Sequence, residues 1–377
     1  MSATEPIVNV LGVKVFIGSD GLSARGTLAP LAQPILSRMN ERIKGEKPAA
    51  IREDGSAVMS TWLPPMPSTA FKRLVRAEII RPLGVHIPST LSIELTRRCR
   101  CRCEHCEMSQ GGKEMSTEQL IDVLGQALDM GTCIITLTEG DPLLKEGVLD
   151  IISSVDERAV VNMFTPGTEM TRELAEELKE AGLHTLLVSI YSTEPSAHDA
   201  VRHLNGAFDA AMRAIQYGLD AGLLVALCTH VSHTSVGELA PLYELACELG
   251  VHEFSVWEST KSPPSQQDRE GIIEMYHRVN TTPNGPRMFA STVFEGVDFG
   301  CLAGRRWLHV GVNGDVKPCP YIPLSFGDVC EEPLKTIWKR IRSSPWHSGD
   351  KRCLMHDGAF LSWLSHQPLE GIPARTR

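Results

Sequence analysis

The sequence predicts an α/β fold in which residues 89–265 form a partial (β/α)6 barrel of the TIM type. Six short apolar runs alternate there with amphipathic segments of helical period. Those segments are long enough to serve as crossover connections, which parallel neighbouring strands require. A complete eight-fold barrel needs about 250 residues, so a partial barrel or an open doubly wound sheet is expected.

The six predicted strands are the apolar runs themselves. They are LSIELT (91–96), CIITLTEG (133–140), AVVNMFTPG (159–167), TLLVSIYS (185–192), LVALCTHVS (224–232) and HEFSVWEST (252–260). The intervening segments carry helix-boundary residues, such as Ser116 at a helix start and Gly182 after a helix end. The pattern therefore predicts a parallel sheet with helices on its outer face.

Two further regions flank the predicted barrel. Residues 1–88 form an N-terminal extension, and residues 266–377 form a small C-terminal domain that begins near the proline-containing stretch KSPPSQQD (261–268). Within the extension, residues 60–81 combine apolar and basic side chains. Such a segment either lies on an anionic membrane surface or packs across the open side of the barrel.

Composition narrows the class of protein. The net charge of -9 argues against a protein that coats nucleic acid. The sequence shows neither a signal peptide nor a run of 18 uncharged apolar residues, so a cytoplasmic location is expected. Four of the eleven cysteines lie between positions 99 and 106, and thiols clustered so closely in a reducing compartment indicate metal or cluster ligands.

Cys99, Cys103 and Cys106 have the spacing C-x3-C-x2-C and follow the first predicted strand. Loops at the carboxyl ends of parallel barrel strands carry active sites. Three thiolates can hold three irons of a [4Fe-4S] cluster and leave the fourth iron open to a small molecule. Cys101 is an additional thiol inside the loop. The alternative is a structural zinc site that uses all four thiols.

The segment TRRCRCRCEHC after a strand resembles the signature loop of the radical S-adenosylmethionine (SAM) enzymes. This resemblance implies that SAM binds the open iron and that its reductive cleavage yields a 5′-deoxyadenosyl radical, which abstracts a substrate hydrogen. It also places His105 near the adenine of SAM. An electron donor such as flavodoxin or ferredoxin is an implied partner.

A second segment at the end of the second strand resembles the GGEP motif of the same family. Its residues, implied to contact SAM, are Glu139, Gly140, Asp141 and Pro142. Glycine lets backbone approach a ligand closely, and a polar strand end can accept hydrogen bonds from the methionyl ammonium. The alternative for Asp141 is that it caps the following helix.

Further along the chain, Ser189 lies in SIYS, and HDAVRHLNGAFD resembles another segment of the family. The resemblance makes Ser189 a SAM contact and Arg202 a partner of the SAM carboxylate. The alternative for Arg202 is a solvated surface residue.

The C-terminal segment CLAGRRWLHVGVNGDVKPCPY resembles the SPASM and twitch auxiliary-cluster domains. The Asn-Gly pair in VNGD favours a hairpin turn. The resemblance implies that Cys301, Cys319 and Cys353 hold a second [4Fe-4S] cluster. Cys330, His356 or an open iron remain alternatives for its fourth position.

The resemblance implies a radical SAM enzyme, an oxidoreductase or bond-forming catalyst. Within the superfamily, this domain arrangement most often accompanies crosslinking, epimerisation or oxidation of a ribosomally made peptide. One alternative is the same chemistry on a lipid or other apolar small molecule, at a membrane contacted through residues 60–81. The other is a non-catalytic zinc-binding protein.

Overall fold

The N-terminal region folds into a small antiparallel sheet with two helices. The computed structural model describes residues 5–18, 21–103, 106, 113–347 and 353–367. The first elements are β1 (Val8–Val10), β2 (Val13–Gly18), β3 (Gly21–Arg25), α1 (Ala29–Ile43), β4 (Ala50–Ile51), β5 (Ala57–Val58) and α2 (Thr69–Ile80). Strands β1 to β3 form one antiparallel sheet, and β4 and β5 form a two-stranded ribbon.

Alternating strands and helices follow along most of the remaining chain. These elements are β6 (Thr90–Glu94), α3 (Thr117–Met130), β7 (Ile134–Thr138), α4 (Val148–Ser153), β8 (Val160–Thr165), α5 (Arg172–Glu180), β9 (Thr185–Ser189), α6 (Pro195–Arg202), α7 (Ala207–Asp220), β10 (Leu224–Val231), α8 (Leu239–Leu249), β11 (Glu253–Glu258), α9 (Gln266–Thr281), β12 (Arg287–Ala290) and α10 (Ser291–Val293). Their helices pack outside the sheet, as the alternation of apolar and helical segments predicts.

The C-terminal elements are a hairpin and two helices. They are β13 (Trp307–Val310), β14 (Val316–Lys317), α11 (Leu334–Ser343) and α12 (Gly358–Leu364). Short helical turns occupy Arg81–Leu83, Pro142–Leu144, Val236–Glu238, Phe294–Asp298, Pro345–His347 and Leu354–His356. The hairpin turn contains the predicted Asn-Gly pair, with Gly314 at a φ of 99°.

All six predicted strands are confirmed, and they lie in sequence order in one curved sheet. The full order is β12-β11-β10-β9-β8-β7-β6-β13-β14, with parallel pairing throughout except for the final hairpin. The structure thus has the partial barrel that the sequence predicts, extended by one parallel strand at each edge. The β/α alternation continues past residue 265 to β12, because the chain after the proline-containing stretch forms another helix and strand.

The sheet separates two apolar layers. One lies between the sheet and the outer helices and includes Leu91 and Ile93 of β6. The other lies inside the barrel and includes Trp62, Trp257, Trp307, Cys301 and Cys319. Ser92 and Glu94 alternate with Leu91 and Ile93 and therefore face the barrel interior.

Helix α2 covers the amino ends of the barrel strands with part of its apolar surface. Its Ala70 and Leu74 pack against Cys133, Ile134 and Val160. Its remaining apolar side chains, including Phe71 and Val75, pack on the N-terminal sheet. Of the two expectations for residues 60–81, the structure shows packing on the barrel. Within the described ranges, no helix has the length and apolar character needed to cross a bilayer.

A buried ion pair fastens α2 to the C-terminal hairpin. Arg306 donates to both carboxylate oxygens of Glu78 at 3.1 and 3.0 Å, and Arg81 also pairs with Glu78. Glu78 is only 8% exposed. The carboxylate therefore neutralises two arginines that are largely removed from water.

We expect Glu78→Gln to lower the free energy of unfolding by about 3 kcal/mol, because it leaves two largely buried arginines without their charge partner. Denaturant unfolding measures this change. The control is Glu41→Gln, which breaks the exposed pair with Lys44 and should cost less than about 1 kcal/mol. Equal losses in both variants would contradict a structural role for the Glu78 pair.

Candidate functional site

A cavity of 860 Å³ opens at the carboxyl ends of the barrel strands. Its lining includes Cys99, Cys101, Cys103 and Cys106 from the loop after β6. Of the other predicted residues, Glu139, Gly140, Ser189 and Arg202 also line it. The structure therefore brings together residues from four segments that the sequence separates by about one hundred positions.

The cysteine loop is held at both ends by hydrogen bonds. The Glu114 carboxylate accepts from the Thr96 hydroxyl at 3.0 Å and from the Arg97 amide at 2.7 Å. Further along, the Arg102 amide donates to the Arg202 carbonyl at 2.9 Å. These contacts fix a loop that has no regular secondary structure of its own. His105 lies outside the described residues, so its predicted place near adenine stays a prediction.

The Cys101 thiol lies between those of Cys99 and Cys103 and contacts both. A hydrogen bond from the Cys101 thiol lowers the pKa of Cys103 to about 6, and it also lowers the pKa of Cys99. The same hydrogen bonds raise the pKa of Cys101, which keeps its proton. These shifts favour the thiolate, the form that binds iron, at Cys99 and Cys103, whereas Cys101 remains a buried thiol.

Gly140 lets the EGDP segment pack directly onto the cysteine loop. A Cβ atom there would lie 2.3 Å from the Thr96 carbonyl oxygen, and the residue has a φ of 65°. The next amide, that of Asp141, donates to the Arg98 carbonyl at 2.8 Å. Only glycine fits this contact, which fixes the end of β7 against the end of β6.

The Asp141 side chain is used within the protein. Its carboxylate accepts from the Thr165 and Thr168 hydroxyls at 2.9 and 3.3 Å and from the Leu143 amide at 3.3 Å. Burial raises its pKa to about 6 despite these donors. The capping alternative thus describes Asp141, and both Asp141 and the buried Pro142 lie outside the cavity lining. Glu139 is the carboxylate of this segment that lines the cavity.

Arg202 is a buried residue, so the surface alternative for it is wrong. It is 5% exposed and donates to the Ser189 carbonyl at 2.7 Å and to the Cys103 sulfur at 3.5 Å. Its guanidinium also lies 4.7 Å from the centre of the Tyr191 ring. A positive charge is thereby fixed beside one of the candidate cluster ligands, where it favours the thiolate.

The C-terminal cysteines form a second group inside the barrel. Cys301 and Cys319 are buried, and a hydrogen bond from the half-buried Cys353 lowers the pKa of Cys301 to about 6. Tyr321, next to this group, lines the cavity. The second thiol group therefore lies behind one wall of the cavity that the first group enters.

The candidates for a fourth ligand have different surroundings, and the choice among Cys330, His356 and an open iron stays a prediction. Cys330 is exposed and accepts a hydrogen bond from Gln119 of helix α3 at 3.6 Å. The charged groups acting on His356 are Arg269 and Glu258. Burial raises the pKa of Glu295 to about 8, and the charge of Cys301 is the next largest cause of this rise. The sequence did not indicate that Glu295 would lie near these cysteines, because the spacing of cysteines says nothing about a distant carboxylate.

A series of side-chain hydrogen bonds joins β6 to β13 beneath the cavity. The sequence did not predict it. The Trp307 indole donates to the Ser92 hydroxyl at 2.9 Å, which contacts His309 Nδ1 at 2.9 Å. His309 Nε2 contacts Glu94 at 3.0 Å. Burial by itself would raise the pKa of the Glu94 carboxyl group. The hydrogen bond and the charge of His309 outweigh burial, so the pKa of Glu94 is lowered overall. The alternating pattern of LSIE places Ser92 and Glu94 on the same face of strand β6. Nothing in the sequence indicates that His309 is their hydrogen-bond partner.

Comparison with known proteins gives two domain matches. Residues 93–240 match the model of the radical SAM superfamily. Residues 301–353 match the SPASM model, described as an iron-sulfur cluster-binding domain. The first range contains the C-x3-C-x2-C loop, and the second begins at Cys301 and ends at Cys353.

Curated relatives cover about two thirds of the chain. The AdoMet-dependent heme synthase of Methanosarcina barkeri is 28% identical over 287 residues, which are 67% of this chain and 82% of that protein. The PqqA peptide cyclase of Rhizobium meliloti is 26% identical over 281 residues, which are 67% of this chain and 73% of that protein.

Solved structures share the fold. SuiB of Streptococcus suis bound to the precursor peptide SuiA has a TM-score of 0.58 at 14% identity, covering 74% of this chain and 71% of that one. SuiB has also been solved bound to S-adenosylmethionine, with a TM-score of 0.57. At this identity, the likeness concerns the fold alone.

The two thiol groups fit clusters better than a single ion. In the described part of the chain, no three His, Cys, Asp or Glu side chains converge on one point as ligands of a lone metal ion do. In a [4Fe-4S] cluster each thiolate binds its own iron. Ligands spread around a cavity, with pKa values lowered at Cys99 and Cys103, suit that arrangement.

We expect Gly140→Ala to lose the iron bound by the cysteine loop, because the added methyl group must displace the Thr96 and Arg98 carbonyls. Iron per chain after anaerobic reconstitution measures this. Gly182→Ala is the matched control, since Gly182 also has a positive φ of 98° but no atom within 4 Å of the added carbon. Unchanged iron in Gly140→Ala would contradict the proposed contact.

We expect Cys101→Ala to keep the iron content of the parent protein, because the Cys101 thiol is protonated and only donates to its neighbours. Cys103→Ala should instead lose the cluster of this loop. Iron analysis and reductive SAM cleavage distinguish the two variants. If Cys101→Ala abolished cleavage and Cys103→Ala spared it, the assignment of ligands would be wrong.

Proposed function

Because the chain carries a radical SAM domain followed by a SPASM iron-sulfur domain and is a radical SAM enzyme, we propose that it modifies a peptide substrate. The modification is a crosslink, an epimerisation or an oxidation that begins with abstraction of a hydrogen atom. Its cofactors are [4Fe-4S] clusters and SAM. A zinc-binding protein without catalysis is not consistent with this pair of domains.

The observation that carries the proposal is the two-part lining of the cavity. Aromatic side chains line its floor, including Trp62, Phe164 and Trp257. Its mouth is rich in hydroxyl groups, from Ser232, Thr234, Ser235, Ser259 and Thr260. A peptide matches both parts, because a side chain can enter the apolar floor while backbone amides bond to hydroxyls at the mouth.

The residues of this chain divide the work as follows. Cys99, Cys103 and Cys106 hold the cluster at the mouth, and Arg202 supports the Cys103 thiolate by its charge. When bound, the reduced cluster and SAM supply a 5′-deoxyadenosyl radical. Glu139, Gly140 and Ser189 line the cavity where SAM would lie. The aromatic floor excludes water from the substrate carbon that loses hydrogen.

The second thiol group is proposed to serve turnover. Cys301, Cys319 and Cys353 hold a further cluster behind the Trp307 and Tyr321 wall of the cavity. A cluster held by these cysteines would supply an acceptor for the electron left on the substrate after hydrogen abstraction, or an iron to which the substrate binds. We further propose a cytoplasmic location with flavodoxin or ferredoxin as the electron donor, since a reducing compartment preserves exposed thiolates.

A second candidate substrate is an apolar small molecule. The observation that favours it is the similarity to a heme synthase, whose name indicates a product that is a flat, largely apolar macrocycle. Membrane contact through residues 60–81 has less support, because the apolar side chains of α2 face the barrel and the N-terminal sheet.

The experiment that tests the proposal is co-expression with any short peptide encoded beside the gene, followed by mass analysis of the peptide. A mass change of the peptide that requires the enzyme and SAM is the expected result. Peptide left unchanged, together with turnover of a tetrapyrrole or lipid by the same preparation, would replace the proposal by the second candidate.

We expect about eight irons per chain after anaerobic reconstitution, and about four in the triple variant Cys99→Ala, Cys103→Ala and Cys106→Ala. The reason is that the two thiol groups lie in separate segments and each holds its own cluster. Iron and sulfide analysis with Mössbauer spectroscopy measures this. About one zinc and negligible iron would contradict it.

We expect Cys319→Ala to form 5′-deoxyadenosine with dithionite but to lose product, because the radical arises at the other cluster. The variant must first be shown to be soluble and to hold about four irons, since cluster binding and folding are coupled. Chromatographic measurement of deoxyadenosine and product tests the expectation. Full product formation, or loss of deoxyadenosine as well, would contradict the separation of roles.

A further inference from the structure

Arg202 holds the cysteine loop at two points. Its carbonyl accepts from the Arg102 amide at 2.9 Å, and its guanidinium Nη1 donates to the Cys103 sulfur at 3.5 Å. Arg202 is the last residue of α6, and His203 ends the helix with a φ of 50°. One main-chain bond and one side-chain bond therefore keep the guanidinium beside Cys103.

Further contacts fix the guanidinium on its other sides. Nη2 donates to the Ser189 carbonyl at 2.7 Å, and the centre of the Tyr191 ring lies 4.7 Å from the guanidinium carbon. Arg202 is only 5% exposed, so water screens its charge weakly. Both terminal nitrogens of the guanidinium thus already have a partner within the protein.

This buried charge has no carboxylate as its partner in the described part of the chain. Burial by itself would lower the pKa of Arg202, and the groups that raise it are Tyr191, Cys103 and Cys101. A buried cation is costly unless an opposite charge lies close to it. Cys103 is the candidate cluster ligand among these groups, so its thiolate supplies the opposite charge.

Reduction makes an iron-sulfur cluster more negative. A [4Fe-4S] core held by three thiolates is already an anion when oxidised, and one-electron reduction adds a further negative charge. Net charge and hydrogen bonds to the sulfurs are among the factors that set its reduction potential. A fixed cation that also donates an N–H to a ligand sulfur stabilises the reduced form more than the oxidised form.

We propose that Arg202 raises the reduction potential of the cluster held by the cysteine loop and so favours the one-electron reduction that precedes SAM cleavage. The electron comes from the external donor, and no bond forms or breaks at Arg202. This assigns Arg202 to the cluster, in place of the SAM carboxylate that the family resemblance implies. The inference rests on the proposed function for the ligand role of Cys103, and it is independent of the substrate.

The test is the midpoint potential of this cluster in the reconstituted full-length enzyme without SAM, followed by electron paramagnetic resonance during a redox titration. The signal of the second cluster is subtracted with the triple variant Cys99→Ala, Cys103→Ala and Cys106→Ala. In Arg202→Gln we expect the ratio of reduced to oxidised cluster at a given potential to fall about tenfold, a shift of about 59 mV to more negative potential. Arg202→Lys keeps the charge and should stay closer to the parent enzyme.

Arg100→Gln is the matched control. Arg100 lies in the same loop, but its side chain is 64% exposed and pairs with Glu169. Because solvent and this carboxylate weaken the effect of the Arg100 charge, the ratio should change by less than about twofold. Equal shifts in Arg100→Gln and Arg202→Gln would overturn the assignment to Arg202.

A second measurement examines the contact in the parent enzyme, without any substitution of Arg202. The enzyme is labelled with ¹⁵N at the guanidino nitrogens of arginine, reduced without SAM and studied by electron–nuclear double resonance. We expect a ¹⁵N coupling to the cluster spin that persists in Arg100→Gln and is absent from the triple cysteine variant. Absence of the coupling from the parent enzyme would overturn the inference.

SAM affinity separates this role from binding of the SAM carboxylate. Weaker SAM binding by Arg202→Gln in equilibrium dialysis, with an unchanged potential in the absence of SAM, would overturn the inference. A lowered potential without SAM supports it, whether or not a peptide proves to be the substrate. A cluster retained in Cys103→Ala, shown by iron analysis, would overturn the ligand assignment and this inference together.

Discussion

Parallel pairing of β13 with β6 is the constraint on which the arrangement of the two thiol groups depends. Residues 307–310 pair with residues 90–93, so the strand after Cys301 lies against the strand before Cys99. The buried chain from Trp307 through Ser92 and His309 to Glu94 reinforces this pairing. A one-residue slip would turn Ser92 and Glu94 away from His309, so the register is strongly specified. This strand pair therefore fixes where the two thiol groups lie relative to each other.

The N-terminal extension closes the end of the barrel at which the strands begin. Helix α2 covers the amino ends of the strands, and residues 60–62 reach into the interior. An open partial barrel exposes the ends of its strands, and apolar side chains of α2 and Trp62 cover them. The mixture of apolar and basic residues in this segment follows from its position, since its apolar side faces the barrel and Arg73 bonds to the carbonyl at the end of α3.

Electrostatics at the first thiol group depends on two neighbours with different roles. The Cys101 thiol stabilises the thiolates on either side by hydrogen bonds, and Arg202 adds a fixed positive charge near Cys103. Both favour the deprotonated form that binds iron. At the second group, Cys353 has the corresponding effect on Cys301, and Glu295 lies close by with a raised pKa. Each site therefore holds thiolates without a surplus of buried negative charge.

The sequence by itself determined the six central strands, the hairpin turn and the six candidate cysteines, because period-two apolar runs and short cysteine spacings are local patterns. It did not determine β12, whose four-residue length carries little periodicity, or the parallel pairing of β13 with β6. It also left open whether Arg202 is buried, whether Asp141 caps a turn, and what covers residues 60–81. Only the tertiary structure decided these, because each depends on which distant segment lies opposite. The hydrogen bonds from Thr61 to Glu253 are of the same kind, since 192 positions separate these residues in the chain.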